Sequence, residues 1–179
     1  MIESSEVVSF WQDAGPAKWF TRDDAFDAEF RRQFEVAHFA AARGELESWL
    51  SSAHGALALQ VLLDQYPRNC FRGTAHSYAT DGLALHYAGR TISAGLDSQV
   101  AVPLRVFLYL AYEHSEALPD QERAVALIEP MGDAEFTRYA ELHRALIQRF
   151  GRFPHRNAAL GRISTQEEID YLAGGGFSG

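Results

Sequence analysis

Residues 55–63 (GALALQVLL) and 102–113 (VPLRVFLYLAYE) are apolar nearly all round at helical spacing. A helix with no polar face has to be buried among other elements. The chain supplies amphipathic partners for these two. Phe26, Phe30, Phe34, Ala37 and Ala41 form one stripe at helical period, and core packing explains it better than a cofactor box. Phe136, Tyr139, Ala140, His143, Leu146, Ile147 and Phe150 form another. No alternating strand pattern of useful length occurs, so the expected fold is all-α.

The punctuation divides the chain into about eight helices. Residues 6–13 make a short helix ended by Gly15-Pro16, and Lys18-Trp19-Phe20 is expected as an apolar anchor on the core. Asp23 or Asp24 caps the phenylalanine helix, which Gly44 closes, and residues 46–50 make a short connecting turn. The buried helix at 55–63 is expected to stop at Tyr66, because Pro67 disfavours helical geometry in the residue before it. One long helix is expected over 74–94, closed by Gly95. Pro103 is tolerated in the first turn of the second apolar helix. Pro119 opens a helix to Glu129, and Asp133 caps the next. Ser164-Thr165-Gln166-Glu167 reads as a capping box before a last short helix. One domain is expected over residues 1–173, with 174–179 (GGGFSG) as a flexible tail.

Composition narrows the function classes. Apolar residues at 47% and aromatics at 12% indicate a chain that folds. A net charge of -8 argues against general nucleic-acid or acidic-membrane binding, so any anion site must be local. The single Cys70 excludes an internal disulfide and any multi-cysteine zinc site. The N-terminal stretch lacks the pattern of a signal peptide, and no apolar run reaches the roughly 20 residues that span a bilayer. These features point to a soluble, cytoplasmic protein.

Against that acidic background, residues 142–166 contain no Asp or Glu, yet Arg149, Arg152, His155, Arg156, Asn157 and Arg162 crowd into a short stretch. A one-sign block needs partners: the protein's own carboxylates or an anionic ligand. Short connections favour antiparallel neighbours, and this parity brings Asp64–Asn69, His114–Glu116 and the basic block to one end of the bundle. Asp64, Glu113 and Glu116 stand at expected helix C-termini, where the dipole disfavours negative charge and facing arginines would compensate.

The runs LLDQYPRN (62–69), FLYLAYEHSE (107–116) and RFGRFPHRNAALGR (149–162), with the early KWF and FDAEF, resemble the signatures of the bacterial family called domain of unknown function 924. The resemblance covers nearly the whole chain. It departs at Ala111-Tyr112-Glu113, where relatives commonly carry a more apolar, proline-containing stretch. It implies a fold similar to tetratricopeptide-repeat-like (TPR-like) antiparallel helical bundles, with no assigned activity and no known cofactor.

The residues leave the chemistry open. His143 lies on an apolar stripe and is expected to be buried with a hydrogen-bond partner, as a core histidine or a general base. His114-Ser115-Glu116 is a helix terminus or part of a site. Arg156 disfavours protonation of His155, keeping it able to act as a base. The spacings of Asp64, His114, Glu116, His143 and His155 match no local metal motif, and arginines repel a cation, so no metal is expected. No P-loop, Rossmann fingerprint or nucleophile elbow occurs. Cys70 beside Arg72 is a buried structural thiol or, with a lowered pKa, a reactive one.

Three readings follow. In the first, Arg68, Asn69, His114, Arg149, Arg152, Arg156, Asn157 and Arg162 hold a small phosphate- or carboxylate-bearing molecule. His143 or His155 then moves a proton, oriented by Asp64 or Glu116. In the second, the same groups form a structural ion-pair network. In the third, helix pairs present a groove to a protein or peptide partner. Whether the chain is an enzyme is not decided at this level.

Overall fold

The computed structural model describes residues 2–179, and no strand occurs among them. The all-α expectation holds. The chain forms two compact units, one built from the residues up to Arg72 with His76–Ala111, the other from Gly73–Ala75 with Tyr112–Gly179.

The first unit is organised by aromatic rings. Helix α1 (Ser4–Ala14) ends at Gly15, whose φ of 70° suits glycine, and Pro16 then opens α2 (Pro16–Trp19). Only Trp19 of the expected anchor is buried, its indole N–H donating to the Trp11 carbonyl at 2.6 Å. Phe20 remains 56% exposed. Asp23 caps α3 (Asp24–Ala42), its carboxylate accepting from the Ala25 and Phe26 amides. The expected α3 stripe is buried throughout, and Phe10 stacks on Phe26 and Phe30 at 5.1 and 5.2 Å. Each such ring contributes about 1.5–3 kcal/mol by leaving water.

The buried helix does not stop where Pro67 predicted. Helix α4 (Ala53–Gln60) widens into a π turn over Val61–Gln65 and runs on as α5 (Tyr66–Cys70), with Pro67 in its first turn. Proline supplies no N–H to the Leu63 carbonyl four residues back or, in π register, to the Leu62 carbonyl five back. Side chains take both: Thr80 Oγ1 donates to Leu63, and His38 Nδ1 to Leu62 at 2.8 Å. Long-range partners therefore let the helix continue past a breaker.

The single helix expected over 74–94 is also divided. A tight turn at Ala75–Tyr78 precedes α6 (Asp81–Ser93), because the Thr80 hydroxyl is held by Leu63 and the Asp81 carboxylate by Arg68. Helix α7 (Val102–Glu113) follows. Its Phe107 meets Trp11 and Trp19 edge-on at 5.2 and 5.1 Å.

In the second unit α8 (Leu118–Ile128) packs on α9 (Ala134–Phe150), which Asp133 caps and Gly151 ends in left-handed conformation. Gln121 Nε2 bonds the Glu113 and Ser115 carbonyls, both at 2.6 Å. The last helix is α10 (Gln166–Ala173). Its capping box joins Thr165 to Glu168, one residue later than expected. The stretch 174–179, expected as a flexible tail, carries an anchor: Phe177 packs with Leu146, Ile147 and Phe153, and its N–H donates to Tyr171 Oη at 2.8 Å. No helix among the described residues is long and apolar enough to cross a membrane.

Candidate functional site

In the first unit, the residues expected to hold an anion meet the protein's own carboxylates. The fully buried Asp64 carboxylate accepts from Gln65 Nε2 at 2.6 Å and lies 2.9 Å from Arg68 Nη1. Arg68 also forks onto Asp81 at 2.8 and 2.9 Å. Burial would lower the Arg68 pKa, but Asp64 and Asp81 outweigh it and drive it up. Asn69 donates to Asp27 Oδ1 at 2.7 Å, and Arg72 reaches the same carboxylate at 3.0 Å. Burial pushes the Cys70 thiol up to about 11, so Cys70 is the structural thiol, not the reactive one.

In the second unit, the acid-free block meets carboxylates from outside it, one distant in sequence and two just after it. Arg162 forks onto Glu116 with both contacts at 2.8 Å, and Glu116 Oε1 also accepts from the Phe153 amide at 2.9 Å. Burial would raise the Glu116 pKa; Arg162 and the Phe153 amide overcome this and lower it. Arg152 forks onto Glu168 at 2.6 and 2.8 Å and reaches the Ile163 carbonyl at 2.9 Å. The Arg152 fork first, then the Thr165 amide and Asn157, hold the Glu168 carboxyl near 2 against its burial. Asn157 donates to Glu168 at 3.2 Å and to Ser164 at 3.1 Å. Arg149 reaches Glu167 at 2.8 Å and lies over the Phe150 and Tyr171 rings.

The histidines are arranged differently. His143 is buried on α9, with Nδ1 2.8 Å from the Tyr139 carbonyl and 3.1 Å from Glu113 Oε1. A carbonyl oxygen only accepts, so Nδ1 carries the proton and Nε2 the lone pair. Burial, reinforced by neighbouring His114, Arg156 and His155, drives the His143 pKa down to about 3. The ring is therefore neutral, and the Glu113 contact is an N–H···O bond to a carboxylate. The His114 ring lies 6.2 Å from His143, Phe153 5.4 Å and Phe177 4.7 Å. Phe177 also meets His155 at 5.4 Å, and the buried Arg156 guanidinium lies 4.4 Å over Phe153. His114, His143, His155 and Arg156 thus surround one aromatic-lined spot. No group of three or more His, Cys, Asp or Glu among the described residues has metal-holding geometry.

The profile of the family described as bacterial protein of unknown function (DUF924) matches residues 7–176. The chain belongs to that family. It is similar to the solved structure of a protein of unknown function from Agrobacterium tumefaciens, at 52% identity and a TM-score of 0.92, over 94% of this chain and 96% of that one. No protein of curated function matches.

The DUF924 resemblance rested on short runs that carry many of these groups, but several partners lay outside the sequence reading. Glu113 was noticed only for its charge at a helix end, and here it receives the His143 proton bond. Nothing in the local sequence around Asp81, Glu168 or Phe177 marks them as partners of these groups. His38 was missed although it stands four residues after Phe34 and three before Ala41, on the stripe that did reveal the core. It is fully buried and contacts His76.

Proposed function

We propose that this DUF924 protein binds a small anionic molecule at the histidine cluster of the second unit, with the His143 Nε2 lone pair as a hydrogen-bond acceptor for the ligand. The supporting observation is a buried, neutral imidazole whose Nδ1–H is held by Tyr139 and Glu113, leaving the Nε2 lone pair for a ligand. The buried Arg156 guanidinium supplies positive charge and His114 and His155 add imidazole rings, so a carboxylate or phosphate is favoured and the acid form of His143 is not. His155 completes the cluster as a ligand contact, and the acceptor role falls to His143, which has the fixed tautomer.

The arginines divide from this site. Arg149, Arg152 and Arg162 already meet Glu167, Glu168 and Glu116, which supports the structural reading for those three. Their role is to fix the loop that carries His155 and Arg156.

A thermal-shift screen of inorganic phosphate, small carboxylates and nucleotides tests the proposal. A bound ligand raises the melting temperature by mass action, equivalent to about 2.7 kcal/mol at a hundredfold excess over its dissociation constant. The expected result is a hit that disappears in folded His143→Gln and persists in Arg149→Ala. No hit across the screen, or a hit indifferent to His143→Gln, overturns it.

A further inference from the structure

The π turn that carries the helix past Pro67 has a second consequence in the first unit. His38 Nδ1 lies 2.8 Å from the Leu62 carbonyl, which can only accept. The His38 proton is therefore on Nδ1, and its Nε2 presents a lone pair. His76 Nε2 lies 2.8 Å from that lone pair and must bring the proton between them. His76 is thus held as the Nε2–H tautomer, and its Nδ1 carries a lone pair that bonds no described residue. His38 is fully buried and stacks on Tyr66 at 4.7 Å, so the order Leu62, His38, His76 is fixed from the helix backbone outward. Fixing one ring nitrogen to orient the other is how a protein prepares an imidazole for chemistry. π turns themselves recur at functional sites.

We propose that this relay makes the half-buried His76 a proton-accepting site for an aromatic weak acid that carries an anionic group. Phe71, 4.1 Å from the His76 ring, and the partly exposed Phe39, 5.5 Å away, supply faces for an aromatic ligand. Arg31, exposed and 5.1 Å over the Phe71 ring, supplies the cation. In the step itself the ligand's O–H bond breaks and an N–H bond forms at His76 Nδ1, leaving a phenolate. The bond from the new imidazolium to His38 becomes charge-assisted, and Glu35 and the phenolate offset the charge. No other atom is transferred. This site is independent of the histidine cluster in the second unit.

The probe is 4-hydroxy-3-nitrobenzoate, whose phenolate absorbs visibly where the phenol does not, added at mildly acidic pH. Wild type is expected to give a saturable gain in the phenolate band, weakened by about tenfold or more in His76→Gln and in Arg31→Gln. Gln at position 76 keeps an N–H donor for His38, so that variant tests chemistry and not folding. The band should persist in His143→Gln, which separates the two sites. Long-range nitrogen–proton NMR should show His38 protonated on Nδ1 and His76 on Nε2 alone. Absence of the band, a band unchanged by His76→Gln, or a proton on His76 Nδ1 in the free protein overturns the proposal.

Discussion

Glu116 illustrates how a single carboxylate can organise a loop. It takes both arms of Arg162 and the Phe153 amide, so it ties the chain after α7 to two points of the basic stretch. Neither side chain of the pair is more than about a third exposed, so losing one partner leaves the other poorly solvated. Arg162→Ala is expected to lower stability by about 1–3 kcal/mol, read as a drop in the urea midpoint at unchanged slope. Arg149→Ala, on an exposed pair with Glu167, is expected to cost under about 1 kcal/mol by the same measurement. That the one-sign block needs anionic partners, the protein's own carboxylates or a ligand, was legible in the sequence. Which carboxylates served was not, because Glu116 reaches Arg162 across 46 positions.

At the scale of elements, hydrophobic period located the helices and capping residues set many of their ends. Asp23, Asp133, Gly15 and Gly151 all act where local chemistry put them. Phe34→Ala should cost about 3–5 kcal/mol, seen as a lower thermal midpoint, because a filled ring site cannot collapse completely. Local rules failed at Pro67 and along 74–94 because the deciding partners were remote. Thr80 stands 17 residues from Leu63, and His38 24 from Leu62, yet these two satisfy the carbonyls that the proline abandons. Thr80→Val keeps the shape and removes the hydroxyl, so an unsatisfied buried carbonyl should cost about 1–3 kcal/mol. Protection of the amides around the π turn in hydrogen exchange should fall in parallel.

For the whole molecule, acid should act through buried neutral histidines before it acts through carboxylates. His143 is held near 3 when folded against an ordinary value of 6.5, so the unfolded chain takes the proton first. Its contribution is complete above pH 6.5 and is lost as pH falls from there toward 3. His38, also lowered by burial, adds in the same direction. Glu168, near 2 against an ordinary 4.5, adds its loss only below pH 4.5. Urea midpoints should therefore decline from pH 6.5 downward, and His143→Phe should flatten the slope between pH 6.5 and 4.5; an unchanged slope would show His143 to be protonated in the fold. The sequence by itself determined the helical class, the buried stripes and most helix ends, because periodicity and capping act within a few residues. It also carried the family, through short runs that survive as strings. Only the tertiary structure decided that Arg68 belongs to Asp64 and Asp81, that His143 is a neutral ring with a fixed tautomer, and that His38 orients His76. Those outcomes depend on which groups leave water together, a property of distance in space that spacing along the chain does not encode.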